Sequence, residues 1–224
     1  ATYIDEEGLI KTALANVPRF DYSEGLDPSL LLEQQSTNLL TYSEDFSQSY
    51  YPKSDVIIVQ SSEKSPLGTL TAYELIESNS NANHLINGAS KFTDTTQKTL
   101  SIFVKKNTRS FIRLQTQSPS ASWVNFNLDN GTIGLNGGQE DNSKIEELHD
   151  GWYRCSVTFT PTAFSGIQLF VLDSDRGGLS PSYQGDGTSG VYIFGAQVEQ
   201  SSFATSYIPT SGTTVTRLAD VVGG

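Results

Sequence analysis

Short runs of alternating apolar and polar residues occupy residues 99–160 and are separated by turn residues. In chain order the runs are TLSIFVKK, SFIRLQTQ, WVNFNL, IEEL and WYRCSVTFT. Side chains of a strand alternate between its two faces, so each run predicts a β-strand with one buried face. The pairs NG at 130–131 and DG at 150–151 are typical of hairpin turns, because such turns need positive φ. The region therefore predicts strands laid side by side.

Similar runs continue on both sides of this region, among them DVIIVQSS, LTAYELIES, GIQLFVL and VYIFGAQVEQ. We expect roughly ten to twelve strands, at the upper end for a double-sheet jelly roll. The predicted fold is all-β, an antiparallel two-sheet jelly-roll β-sandwich over residues 37–200. Residues 1–36 contain few core-forming side chains and predict an extended N-terminal arm. The polar, threonine-rich residues 201–224 predict a C-terminal arm or linker.

Two neighbouring runs predict one apolar and one polar face. The apolar face consists of Ile112, Leu114, Thr116, Val124, Phe126 and Leu128. The polar face carries Arg113, Gln115, Gln117, Trp123, Asn125 and Asn127. Amide and guanidinium groups supply donors and acceptors for hydroxyls, and tryptophan supplies a flat apolar wall for a sugar ring. The polar face therefore predicts either a solvated sheet surface or a carbohydrate-binding platform.

Two residues outside these runs are further candidate contacts of a carbohydrate. Tyr183 lies in LSPSYQGDGTSG, a long glycine- and serine-rich loop, and loops of that length often carry function. His84 begins a short strand after an asparagine-rich loop, which would bring it to the rim of the platform. An ordinary solvated position is the alternative for His84.

Composition and charge narrow the classes of function. Hydrophobic residues make up 36% and charged residues 17% of the 224 residues, which favours a sandwich over a helical bundle or a disordered chain. The net charge of −11 argues against nucleic acid or an anionic membrane surface as a partner, since either needs a basic footprint. No run of about 18 apolar residues occurs, so no membrane insertion is predicted. The chain lacks methionine even at position 1, which we interpret as a fragment, a processed product or one domain of a longer protein.

The sequence contains candidate oxygen ligands for a cation but no catalytic motif. HExxH, CxxC and GxSxG are absent, so we predict that the chain is not an enzyme. Asp173 and Asp175 in DSDRGG, and Glu44 and Asp45 near the opening strand, are candidate calcium ligands, because calcium prefers carboxylates and loop carbonyls. Solvated turns are the alternative interpretation of these carboxylates. The single cysteine, Cys155, is predicted to be a small buried side chain.

Several phrases of the sequence carry a resemblance to a known family. They are PRFDY at 18–22, LLLEQQSTNLLTYSEDF at 30–46, DGWYR at 150–154 and GDGTSGVYIFGAQVEQSSFATSYIPT at 185–210, with TR before ADV near the end. These phrases resemble the concanavalin-like or jelly-roll domains of tailed-phage virion proteins, which occur in tail fibres, spikes and head-decoration proteins. The NLL phrase and the strand led by Trp152 resemble, more distantly, the jelly-roll carbohydrate-binding modules of polysaccharide-degrading enzymes.

The resemblance implies a β-sandwich located in the virion, which attaches to a glycan on the host surface or to other virion subunits. It also implies a structural calcium, and an assembly role predicts a homo-oligomer such as a trimer. We expect a non-catalytic carbohydrate-binding or adhesion domain of a phage appendage or capsid decoration. The alternatives are a purely structural assembly domain, or a polysaccharide-degrading enzyme or its accessory module. One departure from the family is that Tyr50 and Tyr51 follow SEDF where members often have tryptophan.

Overall fold

The computed structural model describes residues 1–221 except 15–16, 24, 26, 89–91, 93, 118–121, 139 and 162–165, and the side chain of Asp141 is likewise not described. The Ser/Pro loop that follows the run SFIRLQTQ falls at 118–121, outside the described residues. The described part of the chain is almost entirely β-strand and turn, with a short 3-10 helix at His149–Gly151. No helix in this part has the length and apolar content that a membrane crossing requires.

Twenty strands occur in the described residues. In chain order they are β1 (Thr2–Ile4), β2 (Ile10–Thr12), β3 (Phe20–Asp21), β4 (Ser29–Leu30), β5 (Ser36–Asn38), β6 (Lys53–Ser54), β7 (Val56–Gln60), β8 (Tyr73–Glu77), β9 (Asn81–Ala82), β10 (Leu85–Asn87), β11 (Lys98–Lys106), β12 (Phe111–Thr116), β13 (Trp123–Asn127), β14 (Thr132–Gly137), β15 (Glu140–Glu147), β16 (Trp152–Phe159), β17 (Ile167–Leu172), β18 (Tyr183–Gln184), β19 (Gly190–Glu199) and β20 (Val215–Arg217).

Twelve of these strands form two antiparallel six-stranded sheets that pack against each other. The first sheet has the order β14-β13-β12-β17-β10-β6, and the second has the order β15-β16-β11-β19-β8-β7. This arrangement confirms the predicted all-β, two-sheet sandwich. The other strands form short antiparallel pairs at the periphery, namely β1-β2, β3-β4, β5-β20 and β9-β18.

The main apolar core lies between the two sheets. The predicted apolar face of β12 and β13 contributes Ile112, Leu114, Val124 and Phe126 to it. The second sheet contributes the alternate residues Ile102, Val104, Cys155, Val157 and Ile193. Cys155 is buried and free, as the sequence predicted. Tyr51 also belongs to this core, which explains why an aromatic residue follows SEDF.

Both predicted hairpin turns are present. Gly131 has φ 65° between β13 and β14, and Asp150 and Gly151 have φ 59° and 73° between β15 and β16. Positive φ is the reason that glycine, or a residue such as aspartate that tolerates this region, occupies these positions.

The central runs do not lie side by side in one sheet, contrary to the prediction. β11 pairs with β16 and β19 in the second sheet, whereas β12 pairs with β13 and β17 in the first. The chain therefore crosses the sandwich after β11 and returns after β14. Alternation specifies which face of a strand is apolar, but both sheets turn that face toward the same core, so it does not specify the sheet.

The described residues of the two terminal segments, 1–36 and 201–221, fold back onto the outer face of the second sheet. A second apolar cluster forms beneath them. Its buried members are Ile10, Ala72, Phe103, Trp152, Phe194 and Tyr207. Buried Arg19 joins the two segments, because it forms ion pairs with Glu33 at 2.8 Å and with Asp220. Both predicted arms therefore lie against the sandwich.

Candidate functional site

The predicted polar face of β12 and β13 lies beneath a loop of residues 173–182, which we call the covering loop. Trp123 is 7% exposed, and the Arg113 guanidinium lies over its ring at 4.0 Å from the centroid. Asn125 is fully buried and donates from Nδ2 to Asp175 Oδ1 at 2.7 Å. The face is therefore a closed layer and not the open platform that the sequence suggested.

Backbone carbonyl groups of the covering loop explain this closure. Arg113 donates to the carbonyl oxygens of Arg176 and Gly178, each at 2.5 Å, and Gln115 donates to that of Leu179 at 3.2 Å. Buried guanidinium and amide groups are strongly destabilising without acceptors, so the loop satisfies donors that the sheet face leaves unpaired. Burial lowers the pKa of Arg113 to about 10. Carbohydrate binding by this layer stays a prediction that would require the covering loop to move.

The other two polar-face candidates lie at the ends of this layer and also make contacts within the chain. Gln117 donates from Nε2 to Asn87 Oδ1 on β10 at 3.0 Å. Asn127 accepts the backbone N–H of Asp129 at 2.9 Å, which stabilises the turn into β14. Their hydrogen bonds account for their positions without a ligand.

Tyr183 and His84 pack on each other in the interior, with ring centroids 4.6 Å apart. His84 is completely buried, and its Nδ1 and Nε2 lie 2.7 Å and 3.3 Å from the carbonyl oxygens of Asp55 and Tyr183. The Tyr183 hydroxyl donates to Glu77 Oε2 at 2.7 Å. His84 therefore does not lie on the rim where the sequence placed it, and Tyr183, predicted as a contact in a long loop, is buried as well; both fasten the β9-β18 pair to the sandwich.

Glu77 is the centre of the hydrogen bonds that hold Tyr183. Arg109 donates to its two carboxylate oxygens from Nε at 2.8 Å and from Nη2 at 2.5 Å. Burial acts to raise the pKa of Glu77, but the hydrogen bonds from Arg109, Tyr183 and the Asp186 amide outweigh it and lower the pKa. This fully satisfied carboxylate has a structural role.

Asp173 and Asp175, two of the predicted calcium ligands, already accept protein donors. Asp173 forms an ion pair with Arg176, with its Oδ1 2.5 Å from Nε. Asp175 accepts the Leu135 amide at 3.0 Å as well as the Asn125 side chain. A calcium ion would compete with the Arg176 guanidinium for Asp173 and with two N–H donors for Asp175, so this donor set fits calcium poorly.

Glu44 and Asp45, the other predicted ligands, are occupied in the same way. Gln48 and Ser47 donate to Asp45 and lower its pKa to about 2. Burial raises the pKa of Glu44, whose Oε1 accepts the Tyr207 hydroxyl at 3.1 Å. Within the described residues, no group of three or more His, Cys, Asp or Glu side chains is arranged to hold a metal ion.

A groove with a volume of about 910 Å³ lies on the outer face of the second sheet, between the two terminal segments. We call it the terminal groove. Its lining consists of residues 2–4, Gly8, Ile10, residues 21–23 and 31–36, residues 200–207, and Phe103, Lys144, residues 146–149 and Arg154. A volume near the upper end of the range of small-molecule pockets makes it a candidate ligand site.

Two buried side chains of β19 hold the wall at residues 200–207. Glu199 accepts the Thr205 N–H at 2.8 Å and the Thr205 hydroxyl at 2.6 Å, and Gln197 Oε1 accepts the Ile208 N–H at 2.7 Å. Because Gln197 and Glu199 are two residues apart in a strand, they lie on the same face. The sequence AQVEQSSFATSYIP therefore contains both the wall residues and the two β19 side chains that hold the wall in its folded-back position.

Phe203 gives this wall an apolar surface. The side chain is 61% exposed, although the segment that carries it is firmly held. Gln34 and Gln35 also line the groove. An exposed ring and amide groups in one groove can contact the apolar face of a sugar and its hydroxyls together.

Arg154 is one of two cationic side chains among the described residues of the terminal groove; the other, Lys144, pairs with Glu146 at 2.7 Å. The register of the second sheet places it between Glu146 on β15 and Phe103 on β11, and its guanidinium lies 5.3 Å from the Phe103 ring centroid. Its Nη2 donates to Ser101 Oγ at 3.0 Å, whereas its buried Nε has no partner among the described residues. Burial lowers the pKa of Arg154, and the carboxylates of Glu199 and Glu146 act in the opposite direction.

Sequence reasoning did not select the residues of the terminal groove, although one signal was present. In WYRCSVTFT, Arg154 is the one charged residue of a strand that is otherwise apolar or small, and alternation places it opposite Tyr153 and Cys155. That position indicates an outward-facing cation. Phe203 offered no comparable signal, since its place in a groove depends on the fold-back of both terminal segments.

No comparison with known proteins establishes the function of this chain. No protein-family model matches the chain, and no curated protein matches it. A solved structure of the CBM22-1–GH10 modules of Clostridium thermocellum endo-1,4-β-D-xylanase 10B, complexed with xylohexaose, is similar to 77% of this chain. The sequence identity is 10% and the TM-score is 0.40, and this chain covers 30% of that one.

Proposed function

We propose that the chain is a non-catalytic carbohydrate-binding domain and that the terminal groove is its binding site. The observation that carries the proposal is the exposed Phe203 on a fixed wall of a groove whose lining mixes polar and apolar side chains. Sugar rings combine an apolar face with a rim of hydroxyls, so they suit a site of this composition. The groove replaces the β12–β13 face as the preferred site because it is open.

We further propose that this domain attaches a virion to its host. The phrases that resemble tailed-phage virion domains include the DGWYR and AQVEQSSFATSY segments, and these supply Arg154 and Phe203. A binding groove built from the resembling phrases is consistent with attachment of a phage appendage or capsid decoration to a glycan on the host surface. The virion location and the contact with other virion subunits rest on this resemblance.

An assembly role is the second candidate, and one observation favours it. The terminal segments expose several large apolar side chains outside the groove, including Leu14 at 79%, Phe20 at 51%, Leu30 at 51% and Leu218 at 74%. Exposed apolar side chains of this number on adjoining segments are typical of contact surfaces. A homo-oligomer such as a trimer would cover them, and sedimentation of the purified chain measures its state.

Replacing Phe203 with alanine is expected to weaken glycan retention about tenfold or more, since burying a phenylalanine ring contributes about 1.5–3 kcal/mol. The melting temperature should stay the same because the side chain is mostly exposed. The measurement is a glycan array followed by affinity electrophoresis with the best ligand. Phe20→Ala is the matched control, because Phe20 is 51% exposed and does not line the groove.

Equal retention by Phe203→Ala and the wild type would exclude the terminal groove as the site. A blank array for the wild type would exclude the proposed function and favour assembly. Repeating the array with chelator tests the predicted calcium at Asp173, Asp175, Glu44 and Asp45. We expect no change, because these oxygens already accept protein donors.

A further inference from the structure

The arginines of the chain differ in how their charge is compensated. Arg19, Arg109, Arg176 and Arg217 each form an ion pair with a carboxylate. Arg113 lacks one but donates to several oxygens inside the closed layer. Arg154 forms no ion pair with any described side chain and donates to a single hydroxyl oxygen, Ser101 Oγ. It thus lines the groove without a carboxylate in direct contact.

The carboxylates around Arg154 are engaged elsewhere. Glu33 pairs with Arg19 and Arg217, at 2.8 Å each, and Glu146 pairs with Lys144 at 2.7 Å. Glu199 accepts the Thr205 amide and hydroxyl, the Ser36 hydroxyl at 2.6 Å and the Gln197 amide at 2.7 Å. These carboxylates make the electrostatic potential in the groove more negative, but none of them forms an ion pair with Arg154.

A partly buried guanidinium with unused donors is most strongly stabilised by an anionic acceptor. Its planar fork donates two parallel hydrogen bonds to a carboxylate, which a single hydroxyl cannot accept in the same way. Hydrogen bonds to charged partners are about twice as strong as neutral ones. A ligand carboxylate would supply the charged acceptor that the described side chains do not provide for Arg154.

We propose that the terminal groove selects glycans that carry a carboxylate, such as uronic or sialic acids, through an ion pair with Arg154. This inference rests on the proposed carbohydrate function and names its ligand class. Phe203 would contact the apolar face of the sugar ring, and Arg154 would bind its carboxylate. With a net charge of −11 the chain does not attract a polyanion from a distance. Selectivity therefore arises from a local contact.

The test compares each acidic polymer with its carboxyl-reduced form, which keeps the backbone and replaces the carboxylate by an alcohol. Polygalacturonate, alginate and polysialic acid are suitable probes, measured by affinity electrophoresis with the full chain. We expect the wild type to bind at least one acid form about tenfold more tightly than its reduced form. Arg154→Met should bind the two forms equally, and Arg154→Lys should keep part of the preference.

Lys106→Met is the matched control, because it removes one positive charge from a side chain that pairs with Asp129 outside the groove. It should keep the full preference. Equal binding of the acid and reduced forms by the wild type, or a preference that survives in folded Arg154→Met, would overturn the inference. If neutral glycans bind and acidic ones do not, the inference fails while the proposed function stands; a chain that binds no glycan at all refutes both.

Discussion

Replacing Trp123 with alanine is expected to lower the free energy of unfolding by about 3–5 kcal/mol. The indole is 7% exposed and lies between the Arg113 guanidinium and Gly137, where even an added Cβ would approach the ring to 2.8 Å. Truncation leaves a cavity beneath Arg113 and removes its cation–π contact. Chemical denaturation followed by circular dichroism measures the effect.

Phe203→Ala is the matched control for this experiment, since it removes an aromatic ring that is 61% exposed. It should change the free energy of unfolding by no more than about 0.5 kcal/mol. The opposite pattern, a stable Trp123 variant that loses glycan retention, would restore the open platform on β12 and β13. A Trp123 variant that is both stable and fully active would show that the indole has neither role.

Replacing Glu199 with alanine is expected to cost about 3–4 kcal/mol, because several buried donors lose their acceptor at once. The Thr205 amide and hydroxyl both bind this carboxylate, at 2.8 Å and 2.6 Å, and Ser36 donates to it from the first terminal segment. The loss should also loosen residues 200–207 and thereby weaken glycan retention. Denaturation gives the first effect, and faster hydrogen exchange of the Thr205 amide gives the second.

Glu199→Gln keeps the shape and one acceptor oxygen, so it should lose about half as much stability. Glu146→Ala removes a carboxylate from the edge strand of the same sheet, where its partner Lys144 is 58% exposed, and should have little effect on stability. If Glu199→Ala were as stable as the wild type and exchanged no faster at Thr205, the wall would be held by other contacts. Phe203 would then not owe its fixed position to Glu199.

Alternation in the sequence was sufficient to predict the sandwich and one face of its core. The alternate apolar residues of β12 and β13 lie in the core, because side chains two positions apart point to the same face of a strand and that face is buried between the sheets. They are Ile112, Leu114, Val124 and Phe126. The pairing of strands was not predictable in this way. Two sheets that share one core have the same pattern, and the partition of β11 and β12 depends on long-range packing.

The candidate site was harder to predict, for two physical reasons. The layer around Arg113 and Asn125 is closed by backbone carbonyl groups of the covering loop, and every residue type supplies such acceptors. The sequence of the loop therefore carries little information about that contact. The terminal groove depends on contacts such as Arg19 with Asp220, which are 201 residues apart, and no local pattern reports them.

The most direct test of the terminal groove as the binding site is to map the bound glycan by NMR chemical-shift perturbation, with the strongest ligand from the array. We expect shifts for the amides of residues 201–206 and for the Arg154 side chain, with little change at the Trp123 indole. Shifts concentrated at Trp123 and in the covering loop, with residues 201–206 unchanged, would place the ligand on the first sheet. That result would contradict the assignment of the terminal groove.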